Sequence, residues 1–525
     1  MLVAFLAFIS ALASPPPDSV PLYDNLGDFH RKVTARPIAQ RYFDQGLRLY
    51  YAFNHAEAIR AFEEGARRDP RCAMCWWGAA LARGPNINAP MDTAAVAPAW
   101  AAMADAKKLA RHGTRMERAL IDALARRYAA DPGADRAKLD SAYATAAQAV
   151  ARAYPADDDA QTLAAEAMMN LRPWNYWERS GAPQPGTAEM VGMLERVMAR
   201  SPNHPGACHL YIHAVEAAEP EKAVPCAERL AALMPGAGHI VHMPGHIYIR
   251  VGRYADAIEA NEHAVHADES YIGQEHPPMG IYTGAYYPHN YHFMAFAAQL
   301  AGRSEKAIEA ARIVSERIPL EIAAQVAFAQ PIVVFHQLEL QTFGRWEELL
   351  ALPLPRADLR FAVALAHFTR GMAFAAIART ADAQLALDTV QAIVEGLPAD
   401  DTRVSARIGA HVLAAELAAR ADRTEDALKS LEAARELEDG MLYQEPPFWH
   451  QPVRHHLGAL LLEAGRAPEA EQRYREDLKR FPNNAWSLAG LAASLRAQGK
   501  EADAAEVDAR LTASGPDIKL AASRF

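Results

Sequence analysis

Histidines are concentrated in one part of this sequence. Of the 20 histidines, eleven lie in positions 204–292. His209 and His213 are four residues apart and Glu216 follows three residues later, so an α-helix would place all three on one face. Imidazole is the commonest metal ligand in proteins, and two imidazoles on a rigid helix can converge on one ion at little conformational cost. This spacing therefore predicts a metal site or a catalytic site.

Two further sets of histidines show the same kind of spacing. His239, His242 and His246 lie at positions i, i+3 and i+7, and His289 and His292 at positions i and i+3. The two sets correspond, because His289 follows His239 by 50 residues and His292 follows His242 by the same 50 residues. We therefore expect histidine at equivalent structural positions in two successive segments of the chain.

Proline weakens the helical interpretation of the second set. Pro244 and Gly245 stand between His242 and His246. Proline lacks a backbone donor and often occupies the first turn of a helix. If a helix begins at Pro244, His239 and His242 lie in a loop, from which they would still be able to bind a metal.

Six histidines form the predicted metal site: His209, His213, His242, His246, His289 and His292. Four nearby side chains are the candidate catalytic groups: Glu216, Tyr248, Arg250 and Asn290. Six imidazoles in pairs have the ligand count of a dinuclear copper centre that handles dioxygen, whereas two imidazoles with one carboxylate suit iron(II) or zinc. We therefore rank copper first, then iron or zinc, as the cofactor of a metal-dependent oxidoreductase.

Internal repeats show which elements must position these residues. Three segments align: GRYADAIEANEHAV at 252–265, GRSEKAIEAARIV at 302–314 and GRAPEAEQRYREDL at 465–478. Each begins with Gly-Arg and has alanine five residues after the glycine. Ala470 and Ala504 are 34 residues apart, which is the period of a helix–turn–helix repeat.

The repeat pattern resembles the tetratricopeptide repeat (TPR) family over nearly the whole mature chain. The resemblance implies an all-α solenoid, a right-handed superhelix of about nine or ten helical hairpins with a concave groove. The first helix of each TPR unit lines that groove, which would put His242, His246, His289 and His292 on its inner wall. The family prescribes no histidines there. Most TPR proteins are scaffolds, so the alternative function is binding of a peptide or protein partner, or of an acidic or aromatic ligand, without metal.

The remaining histidines are interpreted individually. His263 and His266 fall on the second helix of their repeat and are predicted to lie on the surface. His276 lies in an aromatic, Gly/Pro-rich segment that we predict to be a loop shielding the site. One of His455 and His456 would face the groove, far from the main cluster.

The four cysteines leave two questions open. Cys72 and Cys75 form a C-x-x-C pair without the strand–turn–helix context of a redox motif, so close packing is the first interpretation and a disulfide or soft-metal pair the second. Cys208 could pair with Cys226 across a hairpin.

The N-terminus predicts export. Residues 1–13 are apolar and end in Ala-Leu-Ala, the pattern of a signal peptidase site, so we expect cleavage after Ala13 and a periplasmic or secreted protein. We expect no integral membrane segment in the mature chain. We predict a signal peptide at 1–13, a leader at 14–37 and N-terminal hairpins at 38–203. Histidine-rich repeats follow at 204–320, with the loop at 269–287. C-terminal repeats at 321–515 and a tail at 516–525 complete the chain.

Composition narrows the function classes. The 525 residues are 51% hydrophobic and 22% charged, as in a folded globular protein. The formal net charge is −10 and no Lys/Arg block stands out, so the footprint of a nucleic-acid-binding protein is missing. The expected partner is a small-molecule or peptide substrate, with a protein partner as the alternative.

Overall fold

The structure, a computed structural model, describes residues 20–523 and is built from α-helices. In this range the extended structure is limited to two isolated β-bridges. The predicted all-α fold of helical hairpins is confirmed. The predicted signal peptide, residues 1–13, lies outside the described residues.

Most helices follow one another with short connections, and the longest connection joins α7 to α8. In chain order the α-helices are α1 (Pro37–Tyr51), α2 (His55–Arg68), α3 (Ala73–Ala82), α4 (Val96–Leu109), α5 (Arg115–Leu124), α6 (Arg136–Ala153), α7 (Asp158–Met169), α8 (Thr187–Arg200), α9 (Pro205–Val215), α10 (Val224–Leu233), α11 (Gly238–His242), α12 (Pro244–Arg250), α13 (Tyr254–Glu275), α14 (Tyr287–Ala301), α15 (Ser304–Arg317), α16 (Leu320–Gln325), α17 (Gln330–Val333), α18 (Phe335–Thr342), α19 (Trp346–Ala351), α20 (Arg360–Ala376), α21 (Thr380–Val394), α22 (Asp401–Arg420), α23 (Thr424–Gly440), α24 (Val453–Glu463), α25 (Ala467–Arg480), α26 (Ala485–Ala497) and α27 (Glu501–Ser514). A π-helix spans Tyr282–Tyr286.

The chain forms two compact units, which are described separately below. Within the described part of the chain, unit 1 consists of residues 20–247 and 263–287, and unit 2 of residues 248–262 and 288–523.

The Gly-Arg turns of the repeats have a clear conformational reason. Gly252, Gly302 and Gly465 end the first helix of their hairpins with φ angles of 74°, 71° and 74°. This left-handed conformation carries little strain only for glycine. The alanines five residues later are fully buried, which fits small side chains at helix contacts: Ala257, Ala307 and Ala470.

Close helix packing in unit 1 depends on small residues around Phe62. A Cβ atom added to Gly46 would lie 2.7 Å from the Phe62 ring, and one added to Gly78 would lie 2.4 Å from it. These glycines let α1 and α3 approach the aromatic side chain of α2.

We expect Gly78→Ala to destabilise unit 1 by roughly 1–3 kcal/mol, since the new methyl group overpacks a full core. Gly273→Ala is the matched control, because nothing lies within 4 Å of a Cβ at that helical position. Urea-induced unfolding of both variants measures the effect. Equal stabilities would show that the packing around Phe62 is loose.

The segment 269–287 differs from the predicted loop. Helix α13 runs to Glu275 and the π-helix begins at Tyr282, so most of the segment is helical. Nothing in the sequence before His276 breaks the helix. His276 itself adopts a φ of 46°, and the Pro-Pro pair that follows ends the helical conformation.

Candidate metal centre

Helix α9 carries the first pair of histidines. His204 caps its N-terminus by accepting the backbone N–H of Ala207 at Nδ1 (3.1 Å), and Pro205 occupies the first turn. All residues of α9 are buried. His209 and His213 therefore project from one face into the interior of unit 1, as their spacing predicted.

The second set of histidines lies on two short helices. His239 and His242 belong to α11, and His246 belongs to α12, which begins at Pro244. The proline starts a new helix, as the sequence suggested, but the residues before it form a helical turn and not a loop.

Three imidazoles converge in unit 1. One ring nitrogen from each of His209, His213 and His239 lies within 4.8 Å of the other two. The ring centroids of His209 are 5.0 Å from those of both other residues. The three residues are 0–2% exposed. We call them the histidine triad; the predicted ligand set did not include His239.

Hydrogen bonds fix the protonation of two triad members. His209 donates from Nδ1 to the backbone oxygen of Tyr51 (2.6 Å), because a carbonyl can only accept. His213 donates from Nδ1 to Oε1 of Glu216 (3.0 Å). Each Nε2 atom therefore carries a lone pair.

The nitrogens left over have no partner among the described residues. They are Nε2 of His209, Nε2 of His213 and both ring nitrogens of His239. A buried polar atom without a partner costs about 1–3 kcal/mol, and native structures contain few of them. Three buried imidazoles, each with a ring nitrogen within 4.8 Å of the other two, fit a transition-metal ion as their common partner.

Glu216 orders this arrangement. Its carboxylate is fully buried and accepts hydrogen bonds from Nδ1 of His213 and, at 2.6 Å, from Nδ1 of His246. Burial alone would raise the pKa of Glu216, but the neighbouring His246 and His213 lower it to about 2. Glu216 is thus an ionised acceptor that holds two imidazoles in one tautomer, as carboxylates behind metal-ligating histidines do.

Burial also keeps the triad neutral. It lowers the pKa of His209 and of His239 well below the ordinary value, and the neighbouring imidazoles add to the effect. Burial lowers the pKa of His213 too, although Glu216 opposes the shift. Neutral imidazole is the form that binds metal.

A second imidazole pair adjoins the triad. The Nε2 atoms of His242 and His246 are 2.9 Å apart. The ring of His242 lies 5.8 Å from His239, and that of His246 lies 5.2 Å from His213.

Aromatic side chains enclose the triad. The Phe53 ring lies 4.4 Å from His209, the Trp174 ring 5.0 Å from His213 and the Tyr286 ring 4.7 Å from His239. Phe53 and Trp174 adopt φ angles of 57° and 63°, which are strained for bulky residues and tend to occur at functional sites. Sequence spacing gave no signal for Phe53.

Several predicted site residues belong to unit 2. They are Tyr248, Arg250, His289, Asn290 and His292. His289 and His292 lie on α14 with ring centroids 6.3 Å apart, and the His292 ring lies 4.6 Å from Phe335. Arg250 lies over the ring of Tyr443 at 5.4 Å.

The five histidines that were interpreted individually from the sequence are either exposed or hydrogen-bonded. His263, His266 and His276 are exposed. His455 and His456 are both buried in unit 2, where their Nε2 atoms lie 3.0 Å from Oδ2 of Asp477 and 3.0 Å from Oε1 of Gln451.

All four cysteines form disulfides. Cys72 pairs with Cys75 at the start of α3, and Cys208 pairs with Cys226 across the hairpin of α9 and α10. Close packing, the first interpretation of the C-x-x-C pair, thus gives way to the second, whereas the pairing suggested for Cys208 is present.

Comparisons with known proteins add little. The sequence matches no family model and no curated protein. A solved structure of Naa15/Naa10 bound to HypK-THB is 13% identical, with 91% of this chain and 70% of that chain covered and a TM-score of 0.23. The human IFIT1 dimer with PPP-AAAA is 12% identical, with 90% and 89% covered and a TM-score of 0.33. These similarities are too low to inform function.

Between residues 20 and 523, no helix is both long enough and apolar enough to cross a bilayer.

Proposed function

We propose that unit 1 holds a transition-metal centre whose core ligands are Nε2 of His209, Nε2 of His213 and a ring nitrogen of His239. The observation that carries the proposal is the convergence of buried nitrogens that have no partner among the described residues. Such a set is costly in an apo protein, and a bound metal removes the cost.

The protein is proposed to be a metal-dependent oxidoreductase. Imidazole ligands suit copper, iron and zinc, and we rank copper first because the ligands are exclusively imidazole. A bound metal of this kind would supply redox chemistry or polarise a substrate. Glu216 orients His213, and the rings of Phe53 and Trp174 exclude water.

The other predicted ligands and catalytic groups remain predictions. His242 and His246 adjoin the triad and are the proposed position of a second ion. The roles of His289 and His292 as ligands, and of Tyr248, Arg250 and Asn290 as catalytic groups, rest on the sequence alone.

An oxidising compartment is proposed for the mature protein. Support comes from the disulfides Cys72–Cys75 and Cys208–Cys226, since disulfides persist mainly in exported proteins. This agrees with the signal peptide expected at residues 1–13.

Elemental analysis of the untagged protein, exported by its host, tests the proposal. We expect about one or two copper, iron or zinc ions per chain, and loss of the metal in the double variant His209→Gln/His213→Gln, which removes two ligands but keeps polar side chains. The matched control is His263→Gln/His266→Gln, a pair of exposed histidines on α13. Circular dichroism monitors the fold of both.

A metal-free protein that also fails to bind copper, iron or zinc after reconstitution would contradict the proposal. So would metal retained in full by the triad variant. The scaffold function, in which the helical hairpins bind a peptide or protein partner, would then be the better account.

A further inference from the structure

A second feature of unit 1 is a cleft beside the histidine triad. It is a small cleft that is partly open to solvent. Three tyrosines line it, Tyr23, Tyr271 and Tyr282, together with alanine, leucine and neutral polar side chains. No Lys, Arg, Asp or Glu side chain is among the described residues that line it.

The three tyrosine rings form walls at right angles. The ring centroids of Tyr23 and Tyr271 are 6.5 Å apart with an interplanar angle of 73°, and those of Tyr271 and Tyr282 are 5.8 Å apart at 81°. Aromatic rings set around a cleft in this way are the usual receptor for alkylated ammonium groups, which are attracted by the negative faces of the rings.

Carboxylates behind the tyrosines strengthen this preference. The hydroxyls of Tyr23 and Tyr271 donate to Glu57 at 3.1 and 3.4 Å, and that of Tyr282 donates to Asp268 at 2.6 Å. Each donation to a carboxylate makes the ring richer in electrons. It also places negative charge close to the cleft, where it attracts a cation and repels an anion.

Glu57 shares its cation with a second carboxylate. Arg60 lies 2.6 Å from Glu57 and 3.6 Å from Glu275, so one guanidinium serves two carboxylates. These two carboxylates place negative charge behind the tyrosines, which favours a cationic ligand over an anionic one.

The cleft and the triad share structural elements. Ala52 and Asn54 line the cleft on either side of Phe53, whose ring packs on His209. Tyr282 and Tyr286 stand at the two ends of the π-helix, the first in the cleft and the second 4.7 Å from His239. π-Helical turns of this kind occur frequently at functional sites.

We infer that this cleft binds a small organic cation of the alkylammonium class. The three tyrosine rings hold the ammonium group, and the apolar side chains hold its alkyl substituents. The binding site stands independently of any metal. That the bound amine is the substrate of the neighbouring metal centre rests on the proposed function.

Isothermal titration calorimetry of the full chain tests the inference. The probes are tetramethylammonium, choline, the neutral choline isostere 3,3-dimethyl-1-butanol, and acetate. We expect the two cations to bind at least about tenfold more tightly than the neutral isostere, and no binding of acetate. Equal affinity for choline and its isostere would overturn the inference, as would a lack of binding by both cations.

Variants of Tyr271 identify the cleft as the place of binding. Tyr271→Leu removes an aromatic wall and is expected to weaken choline binding about tenfold or more. Tyr271→Phe keeps the ring and is the matched control, with a change of about threefold or less. A folded Tyr271→Leu protein with unchanged affinity would overturn the inference.

The two sets of variants distinguish a failure of metal binding from a failure of amine binding. The variant His209→Gln/His213→Gln should lose metal yet retain choline binding. Tyr271→Leu should retain metal. A wild-type protein that binds choline but binds no copper, iron or zinc after reconstitution would contradict the proposed function and leave the amine site standing.

Discussion

Glu216→Gln is expected to weaken metal binding by unit 1 about 10- to 100-fold, the usual effect of losing a carboxylate behind a ligating histidine. The carboxylate accepts one hydrogen bond from His213 and one from His246. A glutamine side chain can accept at its oxygen only, and its NH₂ group would face a second N–H donor. One of the two imidazoles must then move its proton to Nε2, which removes the lone pair that a metal requires.

Competition with a chromophoric chelator measures this loss of affinity. The matched control is Glu195→Gln, whose carboxylate in the same unit accepts the hydroxyl of Tyr211 at 3.0 Å. That variant should bind metal as the wild type does. If Glu216→Gln does not fold, Glu216→Asp keeps the charge but is too short to reach both imidazoles, and should also weaken binding. Wild-type affinity in a folded Glu216 variant would show that the carboxylate does not position a ligand.

Acid is expected to destabilise the protein through buried neutral histidines. In unit 2, burial lowers the pKa of His450 to about 3, with a smaller contribution from His456 and His292, and burial lowers the pKa of His292 to about 3. In the unfolded chain each group takes up its proton near pH 6.5. The unfolded state therefore binds more protons between about pH 6.5 and 3, so the free energy of unfolding falls as the pH falls through that window.

The size of this effect follows from the proton linkage. At pH 5, one such histidine lowers the free energy of unfolding by about 2 kcal/mol relative to pH 7. In His450→Leu, the difference in the free energy of unfolding between pH 7 and pH 5 should be smaller by about that amount. This holds even if the substitution lowers the stability at pH 7. His263→Leu, at an exposed position, should leave the difference unchanged. Denaturant-induced unfolding at both pH values measures this difference. If His450→Leu shows the same difference as the wild type, buried His450 is not a cause of the acid destabilisation.

The local parts of the site could be predicted from the sequence. His209, His213 and Glu216 share one face of α9 because their spacing is a property of a single helix. The Gly-Arg turns likewise follow from a conformational preference of glycine that is legible in the repeats. Local rules of this kind do not depend on how distant segments pack.

The tertiary parts of the site could not be predicted in the same way. His239 was visible in the spacing, but its approach to α9 depends on the packing of α11 against other helices. The acceptor of His209 is the backbone of Tyr51, 158 residues earlier, and any residue type supplies a backbone oxygen. Phe53 reaches the triad through a strained turn that no propensity favours.

The helical extent of 269–287 shows a further limit of sequence reasoning. Glycine, proline and aromatic residues together suggested a loop, yet α13 continues to Glu275 because neither a single glycine, Gly273, nor the aromatic side chain of Tyr271 breaks a helix. Only the prolines after His276 end it. Tyr271 and Tyr282 of this segment instead form two walls of the cleft, and Tyr286 packs on His239 of the triad.

Anomalous diffraction from a crystal of the metal-loaded protein tests the central claim most directly. Data collected on both sides of the absorption edge of the bound metal locate the ion and identify it. The account predicts an anomalous peak about 2.0–2.1 Å from Nε2 of His209, Nε2 of His213 and a ring nitrogen of His239. A loaded crystal with no peak among these three rings, or with its metal bound elsewhere on the chain, would contradict it.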